Sequence, residues 1–163
     1  MSVKLIAIAA LGKSRQIGLS GKLPWKLPEE YSHFTHTVKD QYVLIGRKNF
    51  ELHDRKIEDA KAIVLTRDKS YRAPDTLVLD DLRKLVALAE EESIEKIYVI
   101  GGAEIYRLTL PYLCEFICSE IDYDGEADTF FPDYKHYDWS TVSTNIHPKW
   151  VVKRMLKEPD PLR

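Results

Sequence analysis

The chain has 163 residues, 44% of them hydrophobic, enough to bury the core of one ordinary domain. Its 24 basic and 26 acidic residues leave a formal net charge of -2 with no long block of one sign, which argues against an extended nucleic-acid footprint or a polybasic membrane patch. No apolar run approaches the roughly 18 residues needed to cross a bilayer, and the first is too short and too β-like for a signal segment. The expected setting is therefore the cytoplasm, the expected partner a small molecule, and the expected state a monomer.

Residues 3–10 form a nearly unbroken apolar run, the pattern of a strand buried on both faces at the centre of a mainly parallel sheet. Residues 11–27 carry Gly12, Gly18, Gly21 and Pro24 without a sustained period and are expected to form a long loop of the kind that serves as a functional lid. Pro28 opens a helix that should end near Val38, with Glu29 and Glu30 favoured at its positive end. Short β-rich runs follow at 42–45, 62–65, 76–79 and 96–100, with helical patterns at 47–53 and 81–91 between them and Asp80 available to cap the second helix. Another short helix starts at Ala103. Strands are expected at 116–121, 141–146 and 150–156, the last two joined as a hairpin through His147-Pro148. Cys114 and Cys118, four apart in an apolar stretch, read as core packing rather than as a disulfide or zinc site. These elements predict one three-layer α/β domain over residues 1–163. Its mixed sheet is eight-stranded and mostly parallel, with an antiparallel C-terminal strand and helices on both faces.

The residues that carry chemistry begin in the lid. Ile17-Gly18 and Leu23-Pro24-Trp25 lead into Leu27-Pro28-Glu29-Glu30, and Phe34 follows one helical turn after Glu30 on the same face, with Tyr31 beside them. A carboxylate paired with an aromatic ring suits a flat heterocycle. The acid accepts two parallel hydrogen bonds from an N-C-N edge, while apolar side chains grip the faces. Gly101-Gly102 follows a buried strand and opens a helix, where absent side chains let backbone N–H groups approach a pyrophosphate. Arg47 and Lys48 open an earlier helix, and Thr66-Arg67 leaves the end of a strand, so the two sites can jointly collect phosphate charge.

This combination resembles the dihydrofolate reductase family. The likeness continues through Ile45-Gly46-Arg47-Lys48, Leu65-Thr66-Arg67, Ile100-Gly101-Gly102-Ala103-Glu104-Ile105-Tyr106 and Asp128-Thr129-Phe130-Phe131-Pro132, with order and spacing kept from the first strand to the last. It implies NADPH-dependent reduction of a dihydropterin, with hydride passing from nicotinamide C4 to pterin C6 and a proton to N5. By resemblance Glu30 would hold the pterin edge, with Ser119 where the family usually has a threonine. Ile8 and Ile100 would offer backbone carbonyls, and Tyr31, Phe34, Arg55 and Ile57 would border the substrate. Trp25 would orient water near the acid, and Leu23 would close over the reacting atoms.

On the cofactor side Ala10 would meet the nicotinamide amide, next to Ile17 and Gly18. Arg47, Lys48 and Asn49 together with Leu65, Thr66 and Arg67 would take the 2′-phosphate end, and the run from Gly101 to Tyr106 the pyrophosphate. The arginine-rich setting favours NADPH over NADH.

The chain departs from the family at Ala60, where an arginine normally clamps the α-carboxylate of the folate glutamate. Arg55, Lys56 or Lys61 is left to supply that charge through a shifted loop. The rival readings are a relative that reduces a tail-less pterin or a pyrimidine, a non-catalytic nucleotide-binding protein, and a metal enzyme using Glu30 and His33. The last lacks a second E-x-x-H motif.

Overall fold

The computed structural model describes residues 3–53, 57 and 59–162; Arg55 and Lys56 lie outside them. In chain order the elements are β1 (Lys4–Leu11), β2 (Gln16–Gly18), α1 (Pro28–Val38), β3 (Tyr42–Gly46), α2 (Arg47–Leu52), β4 (Lys61–Leu65) and β5 (Leu77–Leu79). Then come α3 (Leu85–Glu91), β6 (Lys96–Gly101), α4 (Ala103–Thr109), β7 (Leu113–Ile121), β8 (Thr129–Phe130), β9 (Ser140–His147) and β10 (Trp150–Leu156).

Eight of the strands make one sheet in the order β5-β4-β3-β6-β1-β7-β10-β9. The first six of that order pair in parallel, and β10 runs antiparallel to both of its neighbours, as expected for a mixed sheet closed by its C-terminal strand. The two-residue period of a strand builds a core on each face. Leu5, Ala7 and Leu11 of β1 enter one cluster with Leu85, Ala89 and Ile105 from α3 and α4. Ile6 and Ile8 enter the other with Val38 of α1 and Phe50 of α2. An apolar residue at every position of β1 from Leu5 to Leu11 is thus required, because both faces of that stretch are covered.

Two expectations need correction. Residues 11–27 are not an unstructured loop: β2 lies within them and pairs antiparallel with β8 in a second, two-stranded sheet. Three residues are too few to show a period, and their partner is more than 100 positions away. The helix expected over 81–91 is a 3₁₀ turn at Leu82–Lys84 followed by α3, and its cap is Asp81 rather than Asp80. The Asp81 carboxylate accepts from the Arg83 backbone N–H at 2.9 Å and from its guanidinium, which holds the Asp81 carboxyl down at about 2. Asp80, one residue further out, pairs with Lys84 at 2.7 Å.

Below the C-terminal half of β1 sits an aromatic cluster. Phe116 and Phe131 stack with centroids 4.8 Å apart, Tyr106 lies 4.6 Å from Phe131, and the Tyr106 hydroxyl donates to the Ile8 carbonyl at 2.8 Å. That buried bond ties α4 to the central strand. Tyr106→Phe is expected to lower stability by about 1 kcal/mol, the net value of such a bond, as a reduced urea midpoint with an unchanged slope. Cys118 is fully buried nearby, its thiol pushed up to about 12 by burial; neither it nor Cys114 is in a disulfide.

Candidate active site

The parallel strands end on one side of the sheet, and there a cleft of about 1100 Å³ opens between α1, α2, α4 and the segment after β1. Open α/β sheets place ligands at the carboxyl ends of their strands because helix starts and strand ends converge there. Ala10 of β1, Gly46 of β3, Leu65 of β4 and Gly101 of β6 all reach its wall.

At one end the wall includes Ile8, Glu30, Tyr31, Phe34 and Ile100. Glu30 stands in the first turn of α1 and is only 5% exposed. Burial pushes its carboxyl above the ordinary value, while the hydrogen bond from Ser119 pulls the other way. Ser119, 1% exposed, is carried to that place by β7, whose register sets it beside Ala10. The result is a carboxylate at an end of the cleft where Ile8, Phe34 and Ile100 supply apolar wall, with the Tyr31 and Phe34 rings 6.1 Å apart. Such an acid recognises a polar edge on an otherwise flat, apolar ligand.

The other end is built for phosphate. Gly101 has φ +122, a conformation that side-chain-bearing residues rarely adopt, and a Cβ on Gly102 would come within 2.5 Å of the Asn49 side-chain nitrogen. The backbone between β6 and α4 is therefore bare where Asn49 of α2 approaches it. Arg47, Lys48, Thr66, Arg67, Ala103, Glu104, Ile105 and Tyr106 line the same end. The Arg47 guanidinium lies over the Tyr71 ring at 5.0 Å and pairs with Asp68 at 3.3 Å and Glu51 at 3.4 Å. The Arg67 side chain is 96% exposed, and its guanidinium lies 3.9 Å from a Glu104 carboxylate oxygen.

Among the described residues, three expected site residues do not line the cleft. Ile57 is buried in the core cluster shared by Val38 and Phe50, Trp25 packs 5.5 Å from the Tyr123 ring, and Ser119 hydrogen-bonds Glu30. The Trp25 indole nitrogen is buried without a hydrogen-bond partner among the described residues. His33 also stands outside the cleft, 5.7 Å from the Trp150 ring. Leu23, Ile17 and Gly18 do line it, Leu23 with 44% of its surface exposed.

Asp128 and Thr129 line the cleft as well, although sequence reasoning gave them no role. Asp128 accepts from the Ser20 backbone N–H at 2.9 Å and donates its own N–H to the Gly18 carbonyl at 3.0 Å, so it fastens the base of the lid to β8. The motif from Asp128 to Pro132 was the available signal. Its partner segment could not be read from spacing alone.

Comparison with known proteins agrees with this geometry. The family model for dihydrofolate reductase matches residues 4–152, from the first residue of β1 into β10. The chain belongs to the dihydrofolate reductase family. It is 33% identical over 141 residues to the dihydrofolate reductase of Staphylococcus haemolyticus, a match covering 86% of this chain and 84% of that one. It is 34% identical over 143 residues to dihydrofolate reductase type A13 of Escherichia coli, covering 88% and 86% of the two. The solved dihydrofolate reductase of Enterococcus faecalis, a complex with NADP(H) and RAB-propyl, superposes with a TM-score of 0.81 at 27% identity, covering 96% of this chain and 98% of that one. The chain is accordingly an NADPH-dependent oxidoreductase of the dihydrofolate reductase type. No described helix is long and apolar enough to cross a membrane.

Proposed function

We propose that the cleft catalyses reduction of 7,8-dihydrofolate to 5,6,7,8-tetrahydrofolate, with Glu30 holding the pterin edge. The observation that carries this reading is a buried carboxylate, hydrogen-bonded by Ser119, at the apolar end of a cleft whose far end bears Arg47, Arg67 and the bare Gly101-Gly102 backbone. The bare backbone beside Asn49 fits a pyrophosphate, and the two arginines fit a 2′-phosphate. NADPH, when bound there, supplies hydride to pterin C6.

The chain's own residues orient the substrate and the water that protonates it. Glu30 fixes the ring through paired hydrogen bonds and is engaged on the side away from N5, so it polarises the substrate instead of donating directly. The buried, unpaired Trp25 indole N–H supports a role in orienting water beside the acid, and Leu23 in closing the site while that water delivers the proton. Ile8 and Ile100 offer backbone carbonyls to the ring, Tyr31 and Phe34 its faces, and Ala10 the nicotinamide amide. Residues 1–163 act as one domain, supported by an eight-stranded sheet whose strands run from residue 4 to residue 156. The protein works as a cytoplasmic monomer without nucleic acid.

The test is NADPH absorbance with dihydrofolate and, separately, with a dihydropterin lacking the glutamate. Oxidation dependent on dihydrofolate is expected. Oxidation with the tail-less substrate alone overturns the substrate assignment, and none with either overturns the reaction. Arg67→Ala should raise the NADPH dissociation constant about threefold to tenfold and leave NADH within about twofold, because solvent around a largely exposed guanidinium reduces its pair below the roughly 1.5 to 3 kcal/mol of a charge-assisted bond. Equal loss for both cofactors removes Arg67 from the 2′-phosphate site.

A further inference from the structure

The phosphate end of the cleft holds a carboxylate as well as cations. Glu104, the second residue of α4, lines the cleft, and two arginines share it. Arg107, one turn along the same helix, is the nearer: its Nη2 lies 2.6 Å from Glu104 Oε1 and its Nε donates to Oε2 at 3.3 Å. Arg67, arriving from the end of β4, has its Nη2 3.9 Å from the same Oε1. Arg107 itself is not part of the cleft wall.

We propose that the Glu104–Arg107 pair sets the preference between NADPH and NADH, with Glu104 opposing the 2′-phosphate and Arg107 restraining Glu104 from occupying Arg67. The proposal rests on the assignment of Arg67 to that phosphate made above.

The physical argument is one of competition for a single guanidinium. An exposed pair at 3.9 Å orients Arg67 very little, so the carboxylate contributes almost nothing by positioning it. What remains is charge. Hydrogen bonding to Arg107 holds the Glu104 carboxyl below its ordinary value, so it stays ionised throughout the neutral range. Two bonds to Arg107 also keep it in place when a ligand arrives. A phosphate drawn to Arg67 therefore meets a fixed negative charge a few ångströms beyond its target, partly neutralised by Arg107. NADH carries no phosphate at that position; the pyrophosphate common to both cofactors meets the same carboxylate in each, so only the 2′-phosphate contribution separates them. Arg47 is the second arginine at this end, and it is shared by Asp68 and Glu51, so it does not release Arg67 from this competition.

The two members of the pair thus have opposite predicted signs, which a merely structural surface bridge does not. Dissociation constants for NADPH and NADH are measured by quenching of the protein's tryptophan fluorescence, at low salt and at about 0.5 M salt, where the Debye length shrinks to a few ångströms. Glu104→Gln should tighten NADPH about threefold to tenfold at low salt, and Glu104→Lys more. Arg107→Ala should weaken NADPH by a similar factor. NADH should change by a clearly smaller factor than NADPH in all three variants, and the NADPH effects should fade at high salt. Equal shifts for both cofactors, or shifts of the same sign for Glu104→Gln and Arg107→Ala, overturn the proposal. Arg67→Ala in the same assay separates the two levels of the argument. If it weakens NADPH selectively while the Glu104 variants do nothing, the pair alone is wrong; if it too spares the preference, the phosphate assignment fails and the pair falls with it.

Discussion

Glu30→Gln is expected to lower turnover of dihydrofolate by about 100-fold at neutral pH while leaving NADPH affinity within about twofold. An amide accepts at one atom only, so one of the two edge hydrogen bonds is lost. A bond to a charged acceptor contributes about 1.5 to 3 kcal/mol, and poorer orientation of the ring adds to that loss. The same substitution should stabilise the fold. Burial raises the Glu30 carboxyl above its ordinary value of 4.5, so the folded protein holds that proton more tightly than the unfolded chain does. Its contribution to stability is therefore fully present below the unfolded value and is lost as pH rises through the folded one. As pH rises through the folded value the wild type takes on the cost of a buried charge, and Glu30→Gln removes it. The melting temperature of the variant should exceed that of the wild type at pH 7, with the gap closing as pH falls toward 4. Turnover unchanged across neutral pH in a correctly folded variant would falsify the assignment of Glu30 to the site.

Ala60→Arg is expected to tighten dihydrofolate by about tenfold to a hundredfold, at about 1.4 kcal/mol per tenfold, and to leave a tail-less dihydropterin unaffected. Ala60 is half-buried just before β4, its N–H donating to the Ile57 carbonyl at 2.8 Å, and it belongs to the same apolar cluster as Phe34 of the cleft wall. A guanidinium grown from that position offers the planar fork that a carboxylate accepts and that a lysine cannot match. The gain should fall in KM, because the tail lies far from the transferred hydride and is held alike in ground and transition states. Steady-state kinetics with both substrates check it. An equal response from the two, or no gain for dihydrofolate, means that another cation already serves the tail or that a folate tail is not what the site receives.

The sequence by itself determined the layers and most of the site. Unbroken apolar runs such as the one in β1, and the alternation of short strands with helical patterns, follow from burial on both faces of a parallel sheet, which is a local demand on every residue. Pro28, Glu30 and Phe34 were legible for the same reason: a helix start and one turn of spacing place an acid and a ring on one face before any tertiary contact is made. Gly101-Gly102 was legible because bare backbone at a strand end has few other uses. What only the tertiary structure decided are the relations between distant segments. The pairing of β2 with β8 and the fastening of Ser20 by Asp128 join residues more than 100 apart, and strands of three and two residues leave no period to read. Ser119 was identified by resemblance, but its bond to Glu30 depends on the register of β7 against β1. The division of Glu104 between Arg67 and Arg107 depends on where the end of β4 meets α4. Spacing along the chain reports the period of an element; which charges share a cleft is set by how the elements pack.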